Sequence, residues 1–332
     1  MTGIDLVSVD QAFAWRPWAV AYFLVIGAAV AAALTAQALH FLRGAAAARP
    51  ALRVAAVLAL SAPLPLLADL HQPARFLNFY LGAAPSSVMW WGAWLLPVFV
   101  ATTLLATVAD ALGRWPAPAR LLRLGMVGSG LGVLAYTAGE TAIVAARPLW
   151  HNAGFPVVLT LTALASGVGA VLIAGRPDHA GARLLRRALA GSAGAGLVAL
   201  GLWLLADPDM ARLALTDMPV VVLGHVAGLG LALPALLALF GRGALSARLA
   251  GVAAVWGALA FRWALFTGAQ AQSRVETATY LPPALTDPAT LQSVTGTAGM
   301  IALAAVLVAA LDLYLAPALR RGPRTGPRAD KA

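Results

Sequence analysis

Nine stretches of this chain, at about 17–39, 51–69, 87–109, 121–145, 153–175, 188–206, 218–241, 248–268 and 295–316, are each close to twenty predominantly apolar residues. That is the length an α-helix needs to cross the hydrocarbon of a bilayer. The sequence therefore predicts an all-α integral membrane protein, a polytopic bundle of about nine transmembrane helices. Composition agrees. Of 332 residues, 61% are hydrophobic and only 11% charged, against about a quarter charged in a soluble domain.

Basic residues fix the expected orientation, because cytoplasmic loops collect Lys and Arg. With nine spans, 17 of the 23 basic residues fall on one side, in the groups 43–53, 114–123, 176–187, 242–248 and 320–331. The other side holds only Arg16, Arg75, Arg147, Arg212, Arg262 and Arg274, together with nine of the thirteen acids. The N-terminus is expected in the periplasm and the C-terminus in the cytoplasm. The net charge of +10 is then a positive-inside surface beside anionic lipid, and no nucleic-acid partner is needed. The first fifteen residues carry Asp5 and Asp10 and no basic region, so no cleaved signal peptide is expected.

Loops are mostly short, which predicts one domain over 1–332 with a disordered basic tail at 317–332. The outer loop 70–86 holds Phe76, Phe79 and Tyr80 at near-helical spacing, consistent with a short interfacial helix. The outer loop 269–294 is long and carries Pro282, Pro283 and Pro288, a loop expected to cover a site or bind a partner. Glycines crowd the spans, as at Gly128, Gly130 and Gly132. Their bland reading, close helix packing in lipid, outweighs any functional one.

The chain has no cysteine, which removes disulfides, thiolate nucleophiles and cysteine-bound iron–sulfur clusters. Its five histidines are His40, His71, His151, His179 and His225. Only His225 lies well inside a span, so no pair is placed to hold a haem, and no metal site is expected.

Polar residues of the spans gather in the outer half. Asp69 ends the second span, with His71 and Arg75 just beyond it, in the block ADLHQPARFLNFYLGAAPSSVMWWGAWLLP. Tyr136 and Glu140 are four apart and share a helix face; Tyr22 and Arg262 lie near the outer ends of the first and eighth spans. The inner half offers only Gln37 and Asp312. Each has a structural alternative. Asp69 with Arg75, or Glu140 with Arg262, would serve as ion pairs. His225 reads best as an interhelical hydrogen bond, and tryptophans 15, 18, 90, 91 and 94 as an interfacial belt. Collectively the one-sided depth points to a ligand. A polar rim over an aromatic entrance suits a quinone, whose reduced form gives up two electrons and two protons and needs hydrogen-bond partners and a proton acceptor. Asp69, Glu140, His71 and Arg262 are the proton-transfer candidates.

The same blocks, with WRPWAVAYFLVIGAA (15–29), YTAGETAIVAARPLWHNAGFPV (136–157) and FRWALFTGAQAQS (261–273), resemble the NrfD/PsrC membrane subunits of bacterial respiratory oxidoreductases. Within that family they look closest to the tetrathionate-reductase-type anchors. The resemblance implies a haem-free inner-membrane subunit that oxidises menaquinol or ubiquinol near the outer face. It passes electrons to a periplasmic four-cluster iron–sulfur subunit and on to a molybdopterin catalytic subunit. It also implies a quinone pocket in the first four-helix bundle, at Tyr22, Asp69, His71, Arg75, Tyr136 and Glu140. Tyr22 stands where some relatives carry His. Two other readings compete: a proton-coupled transporter using Asp69, Glu140 and Arg262, which would need a polar route through the inner half, and a structural anchor that binds no quinone.

Overall fold

The computed structural model describes residues 15, 17–70, 72–82, 84–113, 116–175, 177–271, 286–315 and 317. Most of the expected loop at 269–294, and the basic tail after 317, lie outside them. Within the described residues lie nine helices long and apolar enough to cross a membrane. They are α1 (Pro17–Arg43), α2 (Ala45–Asp69), α3 (Val88–Leu112), α4 (Pro118–Ala142), α5 (Gly154–Ala174), α6 (His179–Ala206), α7 (Val220–Phe240), α8 (Gly243–Ala271) and α9 (Pro288–Tyr314). Each lies within a few residues of its expected centre, but several ends overrun. α6 begins at His179 rather than near 188, taking Arg183, Arg186 and Arg187 into its first turns. Hydropathy registers the hydrocarbon and not the helix. A long arginine side chain reaches to the interface while its backbone stays helical.

α1 turns into α2 through Gly44 alone, at φ 86°, a left-handed conformation open to glycine at little cost. Ion pairs then tie together the end of the bundle where α1 finishes. Arg43 meets Asp178, Arg49 meets Asp110, and Arg53 holds Asp312 with two nitrogens. Asp110, whose side chain is 4% exposed, also receives Arg53 and Arg123. The hydropathy pattern leaves this half nearly empty of polar groups. α3 continues three residues past its hydropathic end and brings Asp110, just beyond the expected span, against Arg123 of α4. Asp178 caps α6 by accepting from the Gly181 N–H; that bond, with Arg43 alongside, lowers the Asp178 pKa below the ordinary carboxylate value.

α1 packs on α2, α4, α5, α8 and α9, and most of its length is buried. Lipid provides no hydrophobic force to press helices together, so dispersion contact between small residues must hold them. Gly167 of α5 meets Ala28 and Ala31 of α1, Gly169 meets Gly251 of α8, and Gly230 of α7 meets Gly257 of α8 backbone to backbone. These glycines are packing devices, as are Gly130 and Gly132, whereas a Cβ at Gly128 would have no neighbour within 4 Å among the described residues. His225 accepts a hydrogen bond from Trp256 Nε1 at 3.0 Å, the interhelical role expected of it. Trp91 and Trp94 are exposed, as in a belt. Trp15 is not; it stacks on Phe23 and Trp150 in an interior aromatic column.

Candidate functional site

A cavity of about 420 Å³ opens between the last turns of α2, the segment that follows them, and one face of α3. Pro63, Leu66 and Leu67 come from α2, and Leu70, Phe76, Phe79 and Tyr80 from the segment. On α3 the lining positions Met89, Gly92, Ala93, Leu96, Pro97, Val100 and Leu104 recur every three or four residues, which puts them on one helix face. The segment forms a 3₁₀ turn at Pro73–Arg75 and a short helix at Asn78–Leu81, so the expected interfacial helix is present in two pieces. Tyr80 meets Trp94 edge to face at 5.2 Å.

One residue of α4 reaches this largely apolar wall: Tyr136. It sits against Gly92, and any side chain at 92 would overlap its ring. Behind it stand Tyr22 of α1 and Glu140, one turn further along α4; Tyr136 interacts with both. Tyr22 is 1% exposed, and its hydroxyl meets the Tyr136 phenol without a hydrogen bond of good geometry. A buried hydroxyl left without one costs about 1–3 kcal/mol, so it marks a place for a ligand or water. The arrangement is a file of two phenols and a carboxyl leading inward from an apolar slot. Such a slot can cradle the flat ring of an amphiphile and offer its polar edge a hydroxyl that both donates and accepts.

The structure thus brings together Tyr22, Tyr136 and Glu140. Asp69, half-buried, ends α2. Arg75 is exposed and lines a second, more open cavity of about 480 Å³ with Gln72 and Asn78, which shares Leu70, Phe76 and Phe79 with the first. His71 lies outside the described residues. Arg262 is fully buried and gives hydrogen bonds to Thr162 Oγ1 and to the Ala258 and Leu159 carbonyls. The alternative of a Glu140–Arg262 ion pair is not what forms. Hydroxyl and carbonyl oxygens of α5 and α8 occupy the guanidinium, and Glu140 turns to the phenols. The block 68–97 read as an aromatic entrance supplies much of the wall, and sequence reasoning missed its continuation onto Pro63, Leu66 and Leu67 of α2 and Val100 and Leu104 of α3. Its one available signal was the small, proline-broken face of α3.

No group of three or more His, Asp or Glu is placed to hold a metal among the described residues. A buried phenol behind an apolar slot fits a quinone head group better than an ion.

Fold and site together define a multi-pass helical membrane protein with a largely apolar cavity at one end of its bundle. The chain belongs to the NrfD family (polysulphide reductase, NrfD), whose model matches residues 7–275. It is also 38% identical, over 186 residues, to a subunit of tetrathionate reductase from Salmonella typhimurium strain LT2. That match takes in 52% of this chain and 53% of the relative, so it spans about half the length of the curated protein.

Proposed function

We propose that this protein is the quinol-oxidising membrane subunit of a tetrathionate-reductase-like complex in a bacterial inner membrane. In this reading α1 begins at the periplasmic face, the C-terminus is cytoplasmic, and electrons pass to a periplasmic iron–sulfur subunit and then to a molybdopterin subunit. The positive-inside asymmetry and the family membership support that arrangement. The observation that carries it is Tyr136, a phenol in the wall of a largely apolar cavity with the buried Tyr22 hydroxyl and Glu140 behind it.

Bound quinol supplies the chemistry: two electrons and two protons leave it as it becomes quinone. The apolar faces of α2 and α3 hold the ring and exclude water. Tyr136 engages a ring oxygen and positions it. Tyr136 relays the proton of that oxygen to the Glu140 carboxylate, with Tyr22 holding the phenol in place. The proton of the other ring oxygen leaves to the periplasm through the polar rim of Asp69, His71 and Arg75. Arg262 holds α8 to α5 through Thr162 and the Leu159 carbonyl.

The test uses the assembled complex. Tyr136→Phe should leave assembly and dye-driven reduction of the terminal acceptor intact while quinol-driven reduction falls at least 100-fold, the loss expected when an acid–base group is removed. Normal quinol turnover in that variant would reject the assignment.

A further inference from the structure

α3 carries a proline in its interior, Pro97. Both Pro97 and the residue four positions before it, Ala93, line the cavity. Proline has no N–H, so the Ala93 carbonyl lacks the donor it would meet in a regular helix. The pyrrolidine ring also crowds that carbonyl, so the helix opens on the proline's side. Here that side is the cavity. Ala93 follows Gly92, the residue against which Tyr136 rests, so the phenol and the carbonyl belong to one stretch of wall.

The two groups differ chemically. A phenol donates and accepts, and serves a ring oxygen in either redox state; a backbone carbonyl only accepts. A quinol presents O–H groups and can donate to it. A quinone presents carbonyls, and would leave the Ala93 oxygen buried and unpaired.

We infer that the Ala93 carbonyl, released by Pro97, is a hydrogen-bond acceptor that makes this cavity select the reduced form of its ligand. The inference rests on the quinone reading of the site and deepens it: the subunit binds its substrate more tightly than its product, and so sheds the product after oxidation.

The experiment compares the affinities of a short-tailed quinol and the matching quinone, decylubiquinol and decylubiquinone, for the purified complex, anaerobically. The wild type should bind the quinol about tenfold more tightly, the worth of one hydrogen bond not left unmade. Pro97→Ala supplies the missing N–H, and should weaken quinol binding by about that factor while quinone binding holds. An α-hydroxy acid introduced at position 97 has neither the ring nor an N–H, and should keep the wild-type ratio, which separates the carbonyl from the bend. Equal wild-type affinities, or a Pro97→Ala shift of the same size for both forms, would overturn the selection mechanism and leave the site standing. Binding of neither form would remove the site as well. The wild-type ratio needs no variant, so failure of Pro97→Ala to assemble does not shield the inference.

Discussion

Gly92 of α3 lies so close to the Tyr136 ring of α4 that even a methyl group at 92 would occupy the space of the phenol. The orientation of this phenol in the cavity wall therefore depends on the absence of a side chain on the neighbouring helix. Gly92→Ala should push the ring aside without touching its chemistry. A displacement of about 1 Å at a reacting group is worth roughly 100-fold in rate, so quinol-driven turnover should fall by about that much while dye-driven turnover is retained. The same fall should be absent when Gly92→Ala is added to Tyr136→Phe, since the phenol is then no longer there to misplace.

Tyr22→Phe should separate stability from activity. The substitution removes a buried hydroxyl that has no hydrogen bond of good geometry and keeps the ring that packs on Phe23 at 5.3 Å. Relief of that group should stabilise the subunit by about 1 kcal/mol, read as a rise in melting temperature in detergent. Quinol oxidation should drop tenfold or more in the same preparation. A lowered melting temperature would mean that the hydroxyl serves the fold.

The α7–α8 contact should tolerate no added atom. A Cβ at Gly257 would meet the Gly230 backbone, which has no flexible side chain to retreat, so Gly257→Ala must part the helices at a cost of about 2 kcal/mol. Nothing lies near Gly201 of α6, and Gly201→Ala should be neutral or slightly stabilising through helix propensity. Thermal unfolding of the two variants should move in opposite directions.

Asp110 should matter far more than Asp178, although both are paired with arginine. Asp110→Asn leaves Arg49, Arg53 and Arg123 facing a neutral amide at a site where the acid is 4% exposed, and losing one partner of a buried ion cluster costs about 3 kcal/mol. Asp178 is 59% exposed. An exposed pair contributes little, so Asp178→Asn should leave the melting temperature within about 1 °C, measured in the same detergent.

The sequence alone determined the architecture. Nine apolar runs match the nine long apolar helices among the described residues, because lipid demands about twenty apolar residues from each span whatever surrounds it. The face shared by Tyr136 and Glu140 was equally legible, since helical periodicity within one element puts residues four apart together. Tertiary structure decided the rest, because pairings between helices leave no trace in a hydropathy pattern. It put Gly92 under Tyr136 and Tyr22 behind it, assigned Arg262 to the oxygens of α5 and α8 and not to Glu140, and gathered Asp110 and Asp312 among arginines from two other helices. A bilayer dictates that each segment be helical and apolar; which polar group meets which is settled only when the helices choose their neighbours.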